Sequence, residues 1–123
     1  MKLPFETDLT GKTAVVTGGS GVLGSCMARA LAACGAQVAV LARGLDRAEA
    51  VAQDIAREGG TAIALSCDAT DKPSLEAARR ALLERFGPAD ILVNAAGGNR
   101  PAATTGAEFF APDGDSPSFF DLD

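Results

Sequence analysis

The sequence predicts an α/β protein built on one parallel sheet with helices on both faces. Four short runs rich in apolar residues alternate with three longer segments of helical periodicity. The second of these runs is almost wholly apolar, as expected for a strand that is covered on both faces. Alternation of this kind implies right-handed crossovers, and we expect a doubly wound sheet with the strand order 3-2-1-4.

The four predicted strands are Lys12–Thr17, Gln37–Ala42, Thr61–Ser66 and Asp90–Asn94. Turn residues, mainly glycine and proline, punctuate the chain between these strands and the helices. The chain has 123 residues, of which 47% are hydrophobic, and this fits one domain with its own core.

Three helices are predicted between the strands. The first begins near Val22 and ends near Cys34, while Asp46 and Asp71 are expected to cap the second and third. Pro73 fits the first turn of the third helix. The apolar positions at helical spacing are Leu23, Met27, Ala30, Leu31 and Cys34 in the first helix, Ala48, Val51, Ala52 and Ile55 in the second, and Leu75, Ala78, Leu82 and Phe86 in the third.

A glycine-rich turn follows the first strand. Gly19, Gly21 and Gly24 fit the pattern G-x-G-x-x-G. Glycine lets the backbone turn tightly and approach a pyrophosphate, which N–H groups at the start of the next helix can bind. The sequence therefore predicts a Rossmann-type fold that binds NAD(P) at this turn. The alternative is a tight turn without a ligand, whereas a phosphate-loop NTPase is excluded because no Gly-Lys-Ser/Thr follows the glycines.

The end of the second strand bears on which dinucleotide binds. In NAD-binding folds an acid about 20 residues beyond the glycines holds the ribose 2′-hydroxyl. Arg43 stands there instead, and Arg47 follows one helical turn later. Because a guanidinium group suits a 2′-phosphate, we expect NADP, with NAD as the alternative. The competing interpretation treats both arginines as ordinary solvated charges. The missing acid also argues against a methyltransferase.

Three motifs resemble those of the short-chain dehydrogenase/reductase family. Thr17–Gly24 resembles the family's cofactor turn, and Cys67–Ala69 resembles its strand-three aspartate, which contacts the adenine. Asn94–Gly97 resembles its Asn-Asn-Ala-Gly motif, which lies beside the cofactor. The resemblance covers roughly residues 10–100 of the chain.

The resemblance and the arginine together imply a set of cofactor-binding residues. The set is Gly18, Ser20, Gly21, Val22, Leu23, Gly24, Arg43, Asp68, Ala69, Asn94, Ala96 and Gly97. Two positions depart from the family pattern. Val22 stands where the family has glycine, so that Gly21 takes its place, and Ala95 replaces the second asparagine.

A subgroup of D-mannonate (fructuronate) oxidoreductases is similar at these departures. It resembles this chain at Gly18–Leu23, at Ala96–Asn99 and at Phe119–Asp123. The resemblance implies hydride transfer between the nicotinamide and a carbonyl or alcohol group, with a sugar acid or a related small molecule as substrate. It also implies that the full-length form is a homo-oligomer.

The family's catalytic groups follow the fourth strand. They are a proton-transferring tyrosine with a lysine four residues on, a serine and a helix asparagine. This chain contains no tyrosine. We therefore assign no catalytic residue and expect the 123 residues to be inactive alone, as part of a protein of roughly twice the length.

The expected organisation has two parts. Residues 1–100 form the NAD(P)-binding half-domain. Residues 101–123 form an acidic, Phe-containing loop that leads into the missing catalytic half. Arg100, just before this loop, either meets a substrate carboxylate or is an exposed charge.

Charge and composition argue against several other partners. The net charge is −5, and the excess of acids lies in residues 101–123, which contain no base. Without a basic stripe, duplex nucleic acid is not an expected partner. No apolar run reaches the ~18 residues of a membrane span. Histidine is absent, so no metal site is expected. Three cysteines without a CxxC pair, and no signal peptide, predict reduced thiols in a cytoplasmic protein.

Three functions remain open at this point. The first is the cofactor half of an NADP-dependent oxidoreductase. The second is a nucleotide-binding module without enzymatic activity. The third is an α/β domain that binds no nucleotide.

Overall fold

A computed structural model describes Met1 and residues 4–98. The predictions for Asn99, Arg100 and residues 101–123 lie outside this described part.

Seven elements alternate along the described chain, as the sequence predicts. They are β1 (Thr13–Thr17), α1 (Val22–Ala33), β2 (Gln37–Ala42), α2 (Leu45–Arg57), β3 (Thr61–Ser66), α3 (Lys72–Arg85) and β4 (Ile91–Asn94). The second and third strands have their predicted bounds. The first and fourth begin one residue later than predicted.

The four strands form one parallel sheet in the order β3-β2-β1-β4, which confirms the predicted topology. At the carboxyl edge Thr17 lies opposite Leu41 of β2 and Asn94 of β4, and Ala42 lies opposite Ser66 of β3. All four strands therefore end at the same edge, on either side of β1. In doubly wound sheets ligands bind outside this edge, where the direction of winding reverses.

Hydrophobic clusters cover both faces of the sheet. On one face Val16 of β1 packs with Ala28 of α1 and Ile55 of α2. On the other face Val15 of β1 packs with the residues that α3 contributes, among them Leu82. Because the chain reverses its winding direction after β3, right-handed crossovers place α3 opposite α1 and α2.

The buried face of α1 differs from the predicted one. Gly24, Ala28 and Ala32 are buried against the sheet, whereas Leu23 is 70% exposed and Met27 is 41% exposed. Small side chains let the helix backbone approach the strands closely, so the larger side chains are displaced onto the flank. The remaining predicted positions, Ala30, Leu31 and Cys34, are half-buried.

Of the two predicted helix caps, one is confirmed and the other is wrong. Asp71 caps α3, since its Oδ2 accepts a hydrogen bond from the backbone N–H of Ser74 over 3.0 Å. Asp46 does not cap α2. That helix begins at Leu45 with Gly44 as its N-cap, and Asp46 lies in the first turn, where its charge complements the helix dipole.

The strand β4 is the less covered edge of the sheet. Its described pairing is with β1, and Leu92 on the face of α3 is 61% exposed. Within residues 4–98, none of the helices combines the length and the apolar character needed to cross a bilayer.

Candidate nucleotide-binding site

The turn after β1 is held between the two neighbouring strands. Gly18 has a φ of +63°, a backbone conformation that glycine adopts without strain. The N–H of Gly19 donates to the carbonyl of Leu41 at the end of β2, over 3.0 Å. The N–H of Gly21 donates to the carbonyl of Gly18, also over 3.0 Å, and closes the turn.

Packing inside the protein accounts for Gly18 and Gly24, and also for Gly19, where an added Cβ would lie 2.9 Å from the carbonyl oxygen of Val16. A Cβ on Gly18 would lie 2.7 Å from the carbonyl oxygen of Ala95 and from the backbone of Ala96. A Cβ on Gly24 would overlap the carbonyl of Gly18. These positions exclude any larger residue, whether or not a ligand binds.

Gly21 is different, because it is exposed and less crowded. The nearest atom to a Cβ at this position would be the carbonyl oxygen of Gly18, at 3.3 Å. Contacts within the protein therefore do not demand glycine here as strictly as at Gly18. An exposed glycine at this position leaves the backbone of the turn open to an approaching ligand.

The first turn of α1 is open to an anion. Gly21 is the N-cap and makes no side-chain hydrogen bond to the helix, and the first turn contains no acidic residue. The first intrahelical bond runs from the N–H of Ser25 to the carbonyl of Gly21. The N–H groups of Val22, Leu23 and Gly24 therefore have no acceptor within the helix. Together with the helix dipole they can bind a phosphate oxygen.

The loop after β4 is joined to this turn by Thr17. Its hydroxyl accepts a hydrogen bond from the N–H of Ala96 over 3.3 Å and lies 3.5 Å from the carbonyl of Val93, to which it donates. The N–H of Ala95 donates to the carbonyl of Thr17 over 3.2 Å. Thr17 was not among the predicted site residues, although it opens the glycine motif, and its position at the end of a strand was the available signal.

Arg43 lies directly after β2 and is exposed. Its carbonyl accepts a hydrogen bond from the hydroxyl of Ser66 over 3.4 Å. Arg47 is also exposed, in the first turn of α2. Neither arginine forms an ion pair with a carboxylate of the described chain. Both guanidinium groups therefore lie at the carboxyl edge without a described anionic partner.

Asp68, which the resemblance places at the adenine, is half-buried beyond the end of β3. Its Oδ1 accepts hydrogen bonds from the N–H and the hydroxyl of Thr70, at 2.9 and 2.7 Å. Its own N–H donates to the hydroxyl of Ser74 over 2.9 Å. Its own turn thus supplies two of the hydrogen bonds to the carboxylate.

The structure brings the predicted residues to one edge of the sheet, in two groups. The turn and the loop after β4 are in direct contact and hold Gly18, Ser20, Gly21, Val22, Leu23, Gly24, Asn94, Ala96 and Gly97. Arg43, Asp68 and Ala69 lie at the ends of the next two strands. Within residues 4–98 no three potential metal ligands cluster together. A cavity of about 280 Å³ beside Arg29, Glu58 and Gly60 lies at the opposite edge.

Comparison with known proteins identifies the family of the chain. The short chain dehydrogenase family matches residues 12–111. The uncharacterized oxidoreductase UxuB of Bacillus subtilis is 49% identical over 121 residues, which are 98% of this chain and 44% of that protein.

Two solved structures resemble the chain and were determined with a dinucleotide. A proposed D-mannonate oxidoreductase of Haemophilus influenzae with bound NAD is 38% identical, with a TM-score of 0.76 over 95% of this chain and 42% of that one. A metagenomic short-chain oxidoreductase in complex with NADP is 38% identical, with a TM-score of 0.69 over 73% of this chain and 41% of that one. The chain spans less than half the length of these relatives, and it belongs to the short-chain dehydrogenase family.

Proposed function

We propose that this chain is the NAD(P)-binding part of an oxidoreductase that transfers hydride between the nicotinamide and a carbonyl or alcohol group. The observation that carries the proposal is the open first turn of α1, reached through the exposed Gly21 and uncapped by any side chain. Such a turn can bind the pyrophosphate without displacing a side-chain cap in the described part of the chain. The hydride chemistry itself is supplied by the nicotinamide when it is bound.

The turn and the loop after β4 would contact different parts of the cofactor. The backbone from Ser20 to Gly24 would hold the pyrophosphate, with Gly21 allowing its close approach. The side chains of Val22 and Leu23 are exposed beside this position, so they would border the cofactor. Asn94, Ala96 and Gly97 would lie along the half of the cofactor that carries the nicotinamide, because their loop is joined to the turn by Thr17.

The other end of the cofactor would lie along β2 and β3. Asp68 and Ala69 would border the adenine, as in the relatives that the motif resembles. Arg43 supports NADP, since it occupies the place of the ribose-binding acid and has no described carboxylate partner. The relatives hold NAD in one case and NADP in the other, so the preference rests on the arginine.

The remaining parts of the reaction would come from outside residues 1–100. The chain contains no tyrosine, so the proton-transferring group and the substrate pocket would belong to a catalytic half beyond it. Residues 101–123 would lead into that half. The resemblance to D-mannonate oxidoreductases supports a sugar acid or a related carbonyl compound as substrate. A homo-oligomeric full-length form is what membership of the family implies.

Nucleotide titrations test the binding proposal. The chain contains no tryptophan, so NADPH emission can be followed without interference from the protein. We expect binding by the wild type and none by Gly21→Asp, which adds a bulky negative charge at the mouth of the turn. A folded Gly21→Asp chain that binds NADPH as well as the wild type would overturn the site.

A second titration tests the choice of dinucleotide. Arg43→Ala should weaken NADPH about tenfold and leave NADH unchanged, because an exposed charge-assisted hydrogen bond to the 2′-phosphate is lost. Arg57→Ala, on the far end of α2, is the matched control. Equal affinity of the wild type for NADH and NADPH would contradict the NADP preference while leaving nucleotide binding intact.

The absence of tyrosine also favours a second function, a nucleotide-binding module without turnover. It makes the same binding predictions. The intact mass of the native polypeptide, followed by an assay for NADPH oxidation with sugar-acid ketones, separates the two. A polypeptide of about 12.4 kDa that binds but does not turn over supports the module.

A further inference from the structure

We infer that Ser74 is a positioning residue for the adenine end of the cofactor, acting through Asp68. The inference rests on the proposed nucleotide binding. The evidence is a set of hydrogen bonds that join the start of α3 to the segment after β3.

The cap of α3 departs from the usual reciprocal pattern. In a capping box, the N-cap side chain accepts from the third helical residue, whose own side chain reaches back to the N–H of the N-cap. Here Asp71 accepts from the N–H of Ser74 at 3.0 Å, as in that pattern. The hydroxyl of Ser74, however, accepts the N–H of Asp68 at 2.9 Å, three residues before the cap.

The N–H of Asp71 is left with a different partner. It donates to the carbonyl of Asp68 over 3.1 Å. Asp68 is therefore bonded to the start of α3 through both its N–H and its carbonyl. In this way the start of α3 fixes the backbone of the residue that leaves the sheet.

The residue before Asp68 is fixed from the opposite side. Cys67 is buried, and its N–H donates to the carbonyl of Ala42 at the end of β2, over 2.9 Å. Two consecutive peptide groups are thus held, the one between Ser66 and Cys67 by β2 and the one between Cys67 and Asp68 by Ser74. Thr70 then donates two hydrogen bonds to the Asp68 carboxylate.

Removal of the Ser74 hydroxyl would release this segment at one point. The N–H of Asp68 is partly buried, and without its acceptor the peptide must turn toward water to regain a hydrogen bond. Asp68 and Ala69 would then shift relative to Arg43, while the glycine turn on β1 would keep its geometry. The effect should appear at the adenine and be absent at the pyrophosphate.

Two ligands separate these ends. Inorganic pyrophosphate reports on the glycine turn alone, and ADP adds the ribose and the adenine. We expect Ser74→Ala to reduce the advantage of ADP over pyrophosphate about fivefold, the size of one neutral hydrogen bond, with the dissociation constant of pyrophosphate unchanged. Ser74→Thr keeps the hydroxyl and should retain most of the wild-type advantage.

Asp71→Ala is the matched control for helix stability. It removes the acceptor for the N–H of Ser74 but retains the hydroxyl that binds Asp68. If Ser74 only stabilises α3, both variants should change the ratio equally, or neither should, and the inference is then overturned. Should Ser74→Ala fail to fold, Ser74→Cys gives the same comparison with a side chain of similar size and weaker hydrogen bonding.

Binding by the wild type separates a failure of the role of Ser74 from a failure of the proposed nucleotide binding. Wild-type protein that binds neither ADP nor pyrophosphate contradicts nucleotide binding, and the role of Ser74 fails with it. Wild-type protein that binds both, with an unchanged ratio in Ser74→Ala, contradicts only the role of Ser74.

Discussion

The hydroxyl of Thr17 and the backbone N–H of Ala96 are hydrogen-bonded over 3.3 Å, although 79 residues separate them in the chain. The bond joins the last residue of β1 to the loop after β4. Thr17 directly precedes the glycine turn. The position of the loop relative to the turn therefore depends on a side-chain hydrogen bond as well as on strand pairing.

Replacement of Thr17 by valine should destabilise the fold. The two side chains have similar shapes, but valine leaves the partly buried N–H of Ala96 without its acceptor, at an expected cost of about 1–3 kcal/mol. Thr17→Ser keeps the hydroxyl and should lose less. Urea unfolding followed by circular dichroism measures both variants. Equal stability of the two would mean that the hydroxyl contributes little.

Gly18→Ala should be far more damaging than an alanine at another glycine of positive φ. The new Cβ meets the backbone of Ala95 and Ala96 at 2.7 Å, and the φ of +63° adds strain, so we expect a loss of about 3 kcal/mol or failure to fold. Gly59 is the control, because its φ is +87° and nothing lies within 4 Å of an added Cβ. Gly59→Ala should cost only about 1–2 kcal/mol. Thermal unfolding of the two variants makes the comparison, and similar losses would contradict the crowding at Gly18.

The cap of α3 should be worth a measurable amount of stability. Asp71→Ala removes the acceptor for the N–H of Ser74, and loss of an N-cap costs about 1 kcal/mol. Asp46→Ala is the control, since Asp46 lies inside the first turn of α2 and caps nothing. Its effect should stay within about 0.5 kcal/mol. Chemical denaturation gives the free energy of unfolding of both variants. A larger loss for Asp46→Ala than for Asp71→Ala would contradict the assignment of the caps.

Acid should weaken the ion pair between Arg29 and Glu58, which lies at the opposite edge of the sheet. A hydrogen bond from Arg29 lowers the pKa of the Glu58 carboxyl, and the amino group of Met1 lowers it further. Because the folded pKa is the lower one, the contact stabilises the fold above the ordinary value of 4.5 and is lost as the pH falls through the folded value. Glu58→Gln should therefore lose less melting temperature than the wild type between about pH 6 and pH 3.

The size of this effect should depend on salt, since the groups are exposed. Glu84→Gln, which removes an exposed carboxylate on α3, serves as the control. An acid-induced loss in Glu58→Gln as large as that in the wild type would show that the pair with Arg29 does not contribute.

Strand bounds and topology could be predicted because they depend on local patterns. The ends of β2 and β3 follow from short apolar runs bounded by polar or turn residues, and the reversal of winding follows from the order of elements. The buried face of α1 could not be predicted in the same way. Its small residues and its large apolar residues both recur at helical spacing, and periodicity alone cannot tell which of the two faces packs on the sheet. The close approach of the backbone at Gly24 favours the small ones.

The candidate site was likewise predicted only in part. The glycines, Arg43 and Asp68 could be proposed from motifs, because each is marked by residue type and spacing, and their role in binding stays a prediction. The hydrogen bonds that Ala96 donates to Thr17 and that Asp68 donates to Ser74 could not be predicted. Serine and threonine are common, and their partners depend on how strands and helix ends meet in space. The hydrogen bonds that join these loops to the rest of the fold were therefore the part that sequence reasoning missed.

The crowding at Gly18 has a consequence for random mutagenesis. Every amino acid that a single-base change can substitute for glycine carries a Cβ, so each such change at this codon meets the backbone of Ala95 and Ala96. A library selected for any property of the protein should therefore be depleted at codon 18, whether or not nucleotide binding is under selection. Depletion at codon 21, where an added Cβ is much less crowded, is the result that would carry information about the ligand.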